Sequence, residues 1–207
     1  MGRNSGGVVD ISKNSPNAIA VRKAASSSRA IHTIADRSVV KELQGGISRF
    51  HAVMGVRERN IRIADLDAVG ALGVTWYKND GSGRSEGILL NSKFFDRKKK
   101  SIEKDVLEGY NTGFKNKTNK PLQHTITHEL AHATWNRRMS STKAKAAGKE
   151  ITALYQKWMK DKRKKGYGEY AESNVSEFFA EGVTKAIHGN ADKYTRSLKK
   201  IVSKYKL

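Results

Sequence analysis

The sequence predicts a single α+β domain, a small mixed sheet packed on helices, and three observations carry that prediction. Apolar residues recur at helical spacing through several long stretches. Strand-like alternation gathers in one region between about residues 61 and 91. A chain of 207 residues is long enough for one well-packed core and short for two.

Taken in order, residues 1–30 are rich in Ser, Asn, Gly and Ala with scattered Val and Ile, including Ser26-Ser27-Ser28. Such a stretch offers little apolar surface to offset ordering entropy, so a flexible N-terminal arm is expected there, ahead of a domain spanning 31–207. Leu43, Ile47, Phe50 and Met54 predict a core-facing helix from about 37 to 54. Ile61 and Ile63 alternate with arginines, and Leu72, Val74 and Trp76 alternate with small or polar residues, as in half-buried strands. A turn signal over 79–83 then returns the chain through Gly87-Ile88-Leu89-Leu90-Asn91, a further strand.

Ser101 is the expected N-cap of a helix whose inner face carries Ile102, Val106 and Tyr110. A polar loop from Asn111 to Pro121 leads into a helix containing the histidine motif below. Ile151, Leu154, Tyr155 and Trp158 form an amphipathic stripe from about 142 to 162, closing in the basic run 160–165. A helix from about Asn174 to His188 turns Phe178, Val183 and Ile187 inward, and 191–207 is a final basic amphipathic segment.

The chain has 40 Lys and Arg against 20 Asp and Glu, a formal net charge of +20. This predicts salt-dependent attraction to nucleic acid, acidic proteins or anionic lipid, beside the simpler reading that the charge only solubilises. With no cysteine, disulfides and thiolate metal sites are excluded. No run of about 18 apolar residues is present, so no membrane span is expected, and no cleaved secretory signal is expected from the N-terminus.

The chemistry concentrates in His128-Glu129-Leu-Ala-His132. On a helix, residues four apart share a face, so His128 and His132 can direct two imidazoles at one metal ion, with Glu129 placed to act on a water there. This is the pattern of a zinc hydrolase, which needs a third protein ligand and an open position. His124 lies eight residues before His132, about 12 Å along a helix axis, too far for all three histidines to share one ion. A metzincin would need glycine at position 135 and histidine at 138, where this chain has Trp135 and Arg138.

The third ligand is sought in Tyr170-Ala-Glu-Ser-Asn174-Val-Ser-Glu177-Phe-Phe-Ala-Glu181. Glu177 would complete a His, His, Glu set, and Glu181 one turn on could accept from the far nitrogen of a ligand histidine. A competing account makes Glu177 the capping-box partner of Asn174, which explains neither Glu181 nor Tyr170.

These two segments together resemble the gluzincin zinc metalloproteases, and in particular the catalytic domain of anthrax lethal factor and its relatives. The resemblance covers roughly 124–188. It implies a zincin-like fold and a zinc-dependent endopeptidase with one Zn2+ per chain, held by His128, His132 and Glu177. Glu129 would be the general base, and Tyr170 the donor to the developing oxyanion or leaving group, with Tyr167 as the weaker substitute. It also implies a peptide or protein substrate. In such enzymes an edge strand beside the metal aligns that substrate, and Gly87, Ile88, Leu89, Leu90 and Asn91 are the candidate stretch, an ordinary meander strand being the other reading. Some members of that family are toxins, and related domains are also encoded by bacteriophages. The alternative function is therefore a basic phage virion or packaging protein bound to nucleic acid or capsid, with a degenerate or secondary protease domain.

Overall fold

The computed structural model describes residues 7–58, 60–113, 117–161, 166–188 and 191–207. Residues 1–6 of the expected arm, 114–116 of the polar loop and 162–165 of the basic run lie outside the described residues. The fold is mixed α+β. In chain order it comprises β1 (Val8–Asp10), α1 (Pro16–Ser26), β2 (Arg29–Ala30), α2 (Arg37–Met54), β3 (Ile61–Ala64), β4 (Gly73–Tyr77) and β5 (Ser85–Asn91). Then follow α3 (Ser92–Phe95), α4 (Lys99–Asn111), α5 (Pro121–Asn136), α6 (Thr142–Lys160), α7 (Val175–His188) and α8 (Lys193–Tyr205).

The five strands form one mixed sheet in the order β1-β4-β5-β3-β2. β1 runs parallel to β4 and β3 parallel to β5, while β4–β5 and β2–β3 are antiparallel. Two cores lie against the sheet. Leu89 and Val74 join Val21 and Ala24 of α1, whereas Ile88, Leu90 and Ile63 join the large core that includes α2, α5 and α7. Successive residues of a strand point to opposite faces, so an unbroken Ile-Leu-Leu run is what a strand covered on both sides requires.

This topology corrects the expectation that 87–91 form a substrate-aligning edge. β5 is the central strand, bonded to β4 on one side and β3 on the other, and Ile88, Leu89 and Leu90 are at most 1 % exposed. Its backbone groups are already used within the sheet, leaving none to pair with a peptide.

The expected arm is also corrected for the residues described. Residues 8–10 form an edge strand, 16–26 a helix and 29–30 the opposite edge. Ser15 accepts from the Ala18 N–H and Pro16 opens the helix, which suits its fixed φ. Ala18, Val21 and Ala24 are buried at helical spacing. Small residues thus supply the apolar face that composition alone had discounted.

Ser101 is not the cap of α4. The helix begins at Lys99, and its first N–H is accepted by Asp36 Oδ2, while Oδ1 of the same carboxylate caps α2 through Ser38 N–H. One aspartate therefore joins two helix N-termini, where anions are favoured. Among the described residues no helix is long and apolar enough to cross a membrane.

α5 is the central helix. Leu122 through Asn136 are all buried, against α2, α4, α7 and the β4–β5 side of the sheet. A helix enclosed all round must satisfy each polar side chain internally. Thr127 and Thr134 return hydrogen bonds to carbonyls of their own helix.

His188, at the end of α7, is 1 % exposed, and neither ring nitrogen has a hydrogen-bond partner among the described residues. Burial, with Arg49, His124 and Lys120 nearby, lowers its pKa from 6.5 to about 3. Between those values the unfolded chain binds a proton that the folded chain refuses, so stability falls as pH drops from 6.5 towards 3. The expected slope is up to about 1.4 kcal/mol per pH unit. Urea unfolding across this range should show that slope reduced in His188→Leu; parallel curves would contradict it.

Candidate metal centre

Three donor atoms converge between α5 and α7. His128 Nε2 lies 3.0 Å from His132 Nε2, and Glu177 Oε2 lies 3.1 and 3.2 Å from the two. A tetrahedral ion with bonds of about 2.0–2.1 Å holds its ligand atoms about 3.3–3.4 Å apart, so this triangle is close to metal-ligand spacing. Glu177 Oε2 is buried without a hydrogen-bond partner of proper direction among the described residues. Such an orphan acceptor, aimed at two imidazole nitrogens, fits a cation better than it fits a hydrogen-bond network.

Both histidines are held from behind. His128 Nδ1 lies 2.9 Å from Glu181 Oε1, which fixes the ring with Nε2 towards the triangle, and His132 Nδ1 lies 3.1 Å from Ser176 Oγ. Glu177 reaches the site because Asn174 Oδ1 accepts from the Ser176 and Glu177 N–H groups, starting α7 one turn before the next carboxylate. Asn174 therefore does cap the helix, while the Glu177 carboxylate faces the histidines.

The charges are strongly coupled. Burial raises the Glu177 pKa, but His132 and His128 outweigh it and bring the carboxyl down to about 2. Burial likewise opposes charge on His128, yet Glu177 and Glu181 together raise its pKa to about 10. A ligand imidazole must be neutral, so a metal ion in this triangle and a proton on His128 Nε2 would exclude one another.

Glu129 is fully buried beside this triangle. Its Oε2 accepts from Thr75 Oγ1 at 2.9 Å, while Oε1 has no partner among the described residues. β4 makes room for it: a Cβ on Gly73 would stand 2.8 Å from Glu129 Cγ. Burial pushes the Glu129 carboxyl up to about 7 against the pull of His132 and His128. That is the range suited to a general base.

Tyr170 sits on the short turn Glu169–Glu172, its ring centroid 5.9 Å from that of His128. Tyr155 OH anchors this turn by donating to the Glu172 carbonyl at 2.8 Å. Tyr167 instead belongs to the core, 5.1 Å from the Trp158 ring and 5.8 Å from Phe178. Its ring is half-buried there, with the hydroxyl enclosed.

Comparison of the chain with family models, curated proteins and solved structures found no match.

Sequence reasoning left His124 unassigned and missed Tyr110, Thr118, Thr75 and Ser176. His124 Nε2 lies 3.2 Å from Glu181 Oε1, His124 Nδ1 lies 3.2 Å from Tyr110 OH, and that hydroxyl lies 2.8 Å from Thr118 Oγ1. His124, His128 and Glu181 form a second group compact enough for a metal. Glu181 Oε1 joins the two rings of this group, and it stands with His124 behind His128, on the side away from Nε2. His124 stands four residues before His128, and this repeat of the ligand spacing was the available signal.

Proposed function

We propose that the chain is a zinc-dependent endopeptidase with a zincin-like domain, of the kind its two motifs resemble. The observation that carries this reading is the triangle of His128 Nε2, His132 Nε2 and Glu177 Oε2, with sides of 3.0–3.2 Å. The donor set of two imidazoles and one carboxylate is that of catalytic zinc sites, which keep a fourth position for water or substrate.

Zinc bound there would lower the pKa of a water to about 7 and polarise a peptide carbonyl. The chain supplies the rest. Glu129, held by Thr75 on one oxygen, takes the proton of the attacking water on the other and delivers it to the departing amine. Tyr170, half-buried beside His128, donates a hydrogen bond to the oxyanion as it forms. Glu181 and Ser176 keep both imidazoles oriented throughout. Glu177 is the ligand nearest solvent at 6 % exposure, so substrate approaches on the Glu177 and Tyr170 side.

The test is metal content together with cleavage of a peptide library. The reading expects about one zinc per chain, cleavage lost on chelation and recovered with zinc. A fully zinc-loaded chain that cleaves no peptide would refute the peptidase.

A further inference from the structure

Away from the metal centre, a groove of about 490 Å³ opens between the end of α5 and α6. Trp135, 5 % exposed and tilted against the Phe179 ring at 5.6 Å, lines it. The Arg138 guanidinium sits 4.1 Å from the Trp135 ring centre, and its Nη1 donates to the Trp135 carbonyl at 3.0 Å. Gly148 gives this arginine its place, since a Cβ there would come within 3.1 Å of Arg138 Cδ. Glycine is a poor helix former, so its presence inside α6 accords with a need for space.

Arg138 is thus a fixed, half-buried cation. Among the described residues it makes no ion pair with a carboxylate, and neither do Lys145 and Lys149, which line the same groove one helical turn apart. Cations so placed are held apart from anions within the chain, as a site for an external anion requires.

The opposite face of α6 is covered by the neighbouring helix. α8 lies antiparallel beside α6: Lys204 Nζ meets Glu150 Oε1 at 2.6 Å, and Lys193 Nζ meets Asp161 Oδ2 at 2.6 Å. Arg196, Lys199 and Lys200 are exposed on α8. Its apolar residues Leu198, Ile201 and Val202 are buried, so α8 has no free apolar face to enter a lipid layer. Duplex nucleic acid carries one negative charge per about 1.7 Å of its length. Even an extended peptide made wholly of acidic residues offers at most one per about 3.3 Å. Density of charge therefore favours the nucleic acid.

We propose that this groove binds the phosphodiester backbone of a nucleic acid, with Arg138 as the anchoring fork and Lys145 and Lys149 on flanking phosphates. The site is separate from the metal centre, and its test does not depend on hydrolysis.

Fluorescence anisotropy with a labelled duplex of about 20 base pairs, titrated over a range of salt, tests it against a charge-matched control. Arg138→Gln/Lys145→Gln/Lys149→Gln is compared with Lys98→Gln/Lys100→Gln/Lys104→Gln, which removes the same charge from exposed positions around α4. The groove triple is expected to lose more than about tenfold in affinity at 0.1 M salt, with the log–log salt slope reduced by about 2.7. The control should change affinity by less than about threefold. If the Arg138 change impairs folding, Lys145→Gln/Lys149→Gln should still reduce the slope by about 1.8. Equal losses in both triples, absence of wild-type binding, or displacement of the duplex by a poly-glutamate peptide at equal charge would each overturn the proposal.

Discussion

Glu129→Gln is expected to lower peptide hydrolysis by about 10²–10⁴-fold while zinc stays bound. The glutamine keeps the shape of the side chain in the space left by Gly73, and its carbonyl oxygen can still accept from Thr75. What it loses is the basic oxygen beside the metal triangle. Zinc content and kcat/KM of the purified variant are the measurements. Zinc retained with hydrolysis lost would place Glu129 in proton transfer, whereas unchanged kcat/KM would remove it from the reaction.

The other large effect is expected from Glu177→Ala, which should reduce zinc from about one per chain to a trace and abolish any rise in thermal stability on adding zinc. A ligand present at 100 times its Kd stabilises a fold by about 2.7 kcal/mol, so the wild-type response is readily measured. The contrast with Asn174 is informative. Asn174 bonds the Ser176 and Glu177 N–H groups through its own side chain, so the start of α7 does not depend on the glutamate carboxylate. Glu177→Ala should therefore leave helix content unchanged and affect the metal. Zinc binding as tight as wild type in this variant would make capping a sufficient account of position 177.

Much of the scaffold could be read from local pattern because local pattern determines it. The stripes of α2 and α6 arise from burial of one face of each helix. The placement of β5 could not be read that way, since strand order depends on partners far along the chain. Its unbroken Ile88-Leu89-Leu90 run was the available clue to cover on both faces. Nor could composition show α1, where alanines form the buried stripe, or Asp36 as the cap of a helix 63 residues later.

The metal triangle was more legible than its surroundings. His128, His132 and Glu129 lie within one turn or so of helix, and Glu177 and Glu181 share a face of another. The structure brings these two helices together, as the motifs anticipated. Thr75 comes from β4, Tyr110 from α4 and Ser176 from the start of α7. Such supports are ordinary residue types whose roles arise from distant neighbours, and spacing along the chain gives no sign of them.

The sheet ends in two very short borders, three residues in β1 and two in β2. Exposed backbone along a sheet rim is a template on which other chains can grow, and rims this brief offer few bonds to an incoming strand. The same economy bears on selectivity. On the proposed reading as a peptidase, a protein substrate would find little main-chain ladder to join, so discrimination between targets should rest on the side chains around Glu177 and Tyr170.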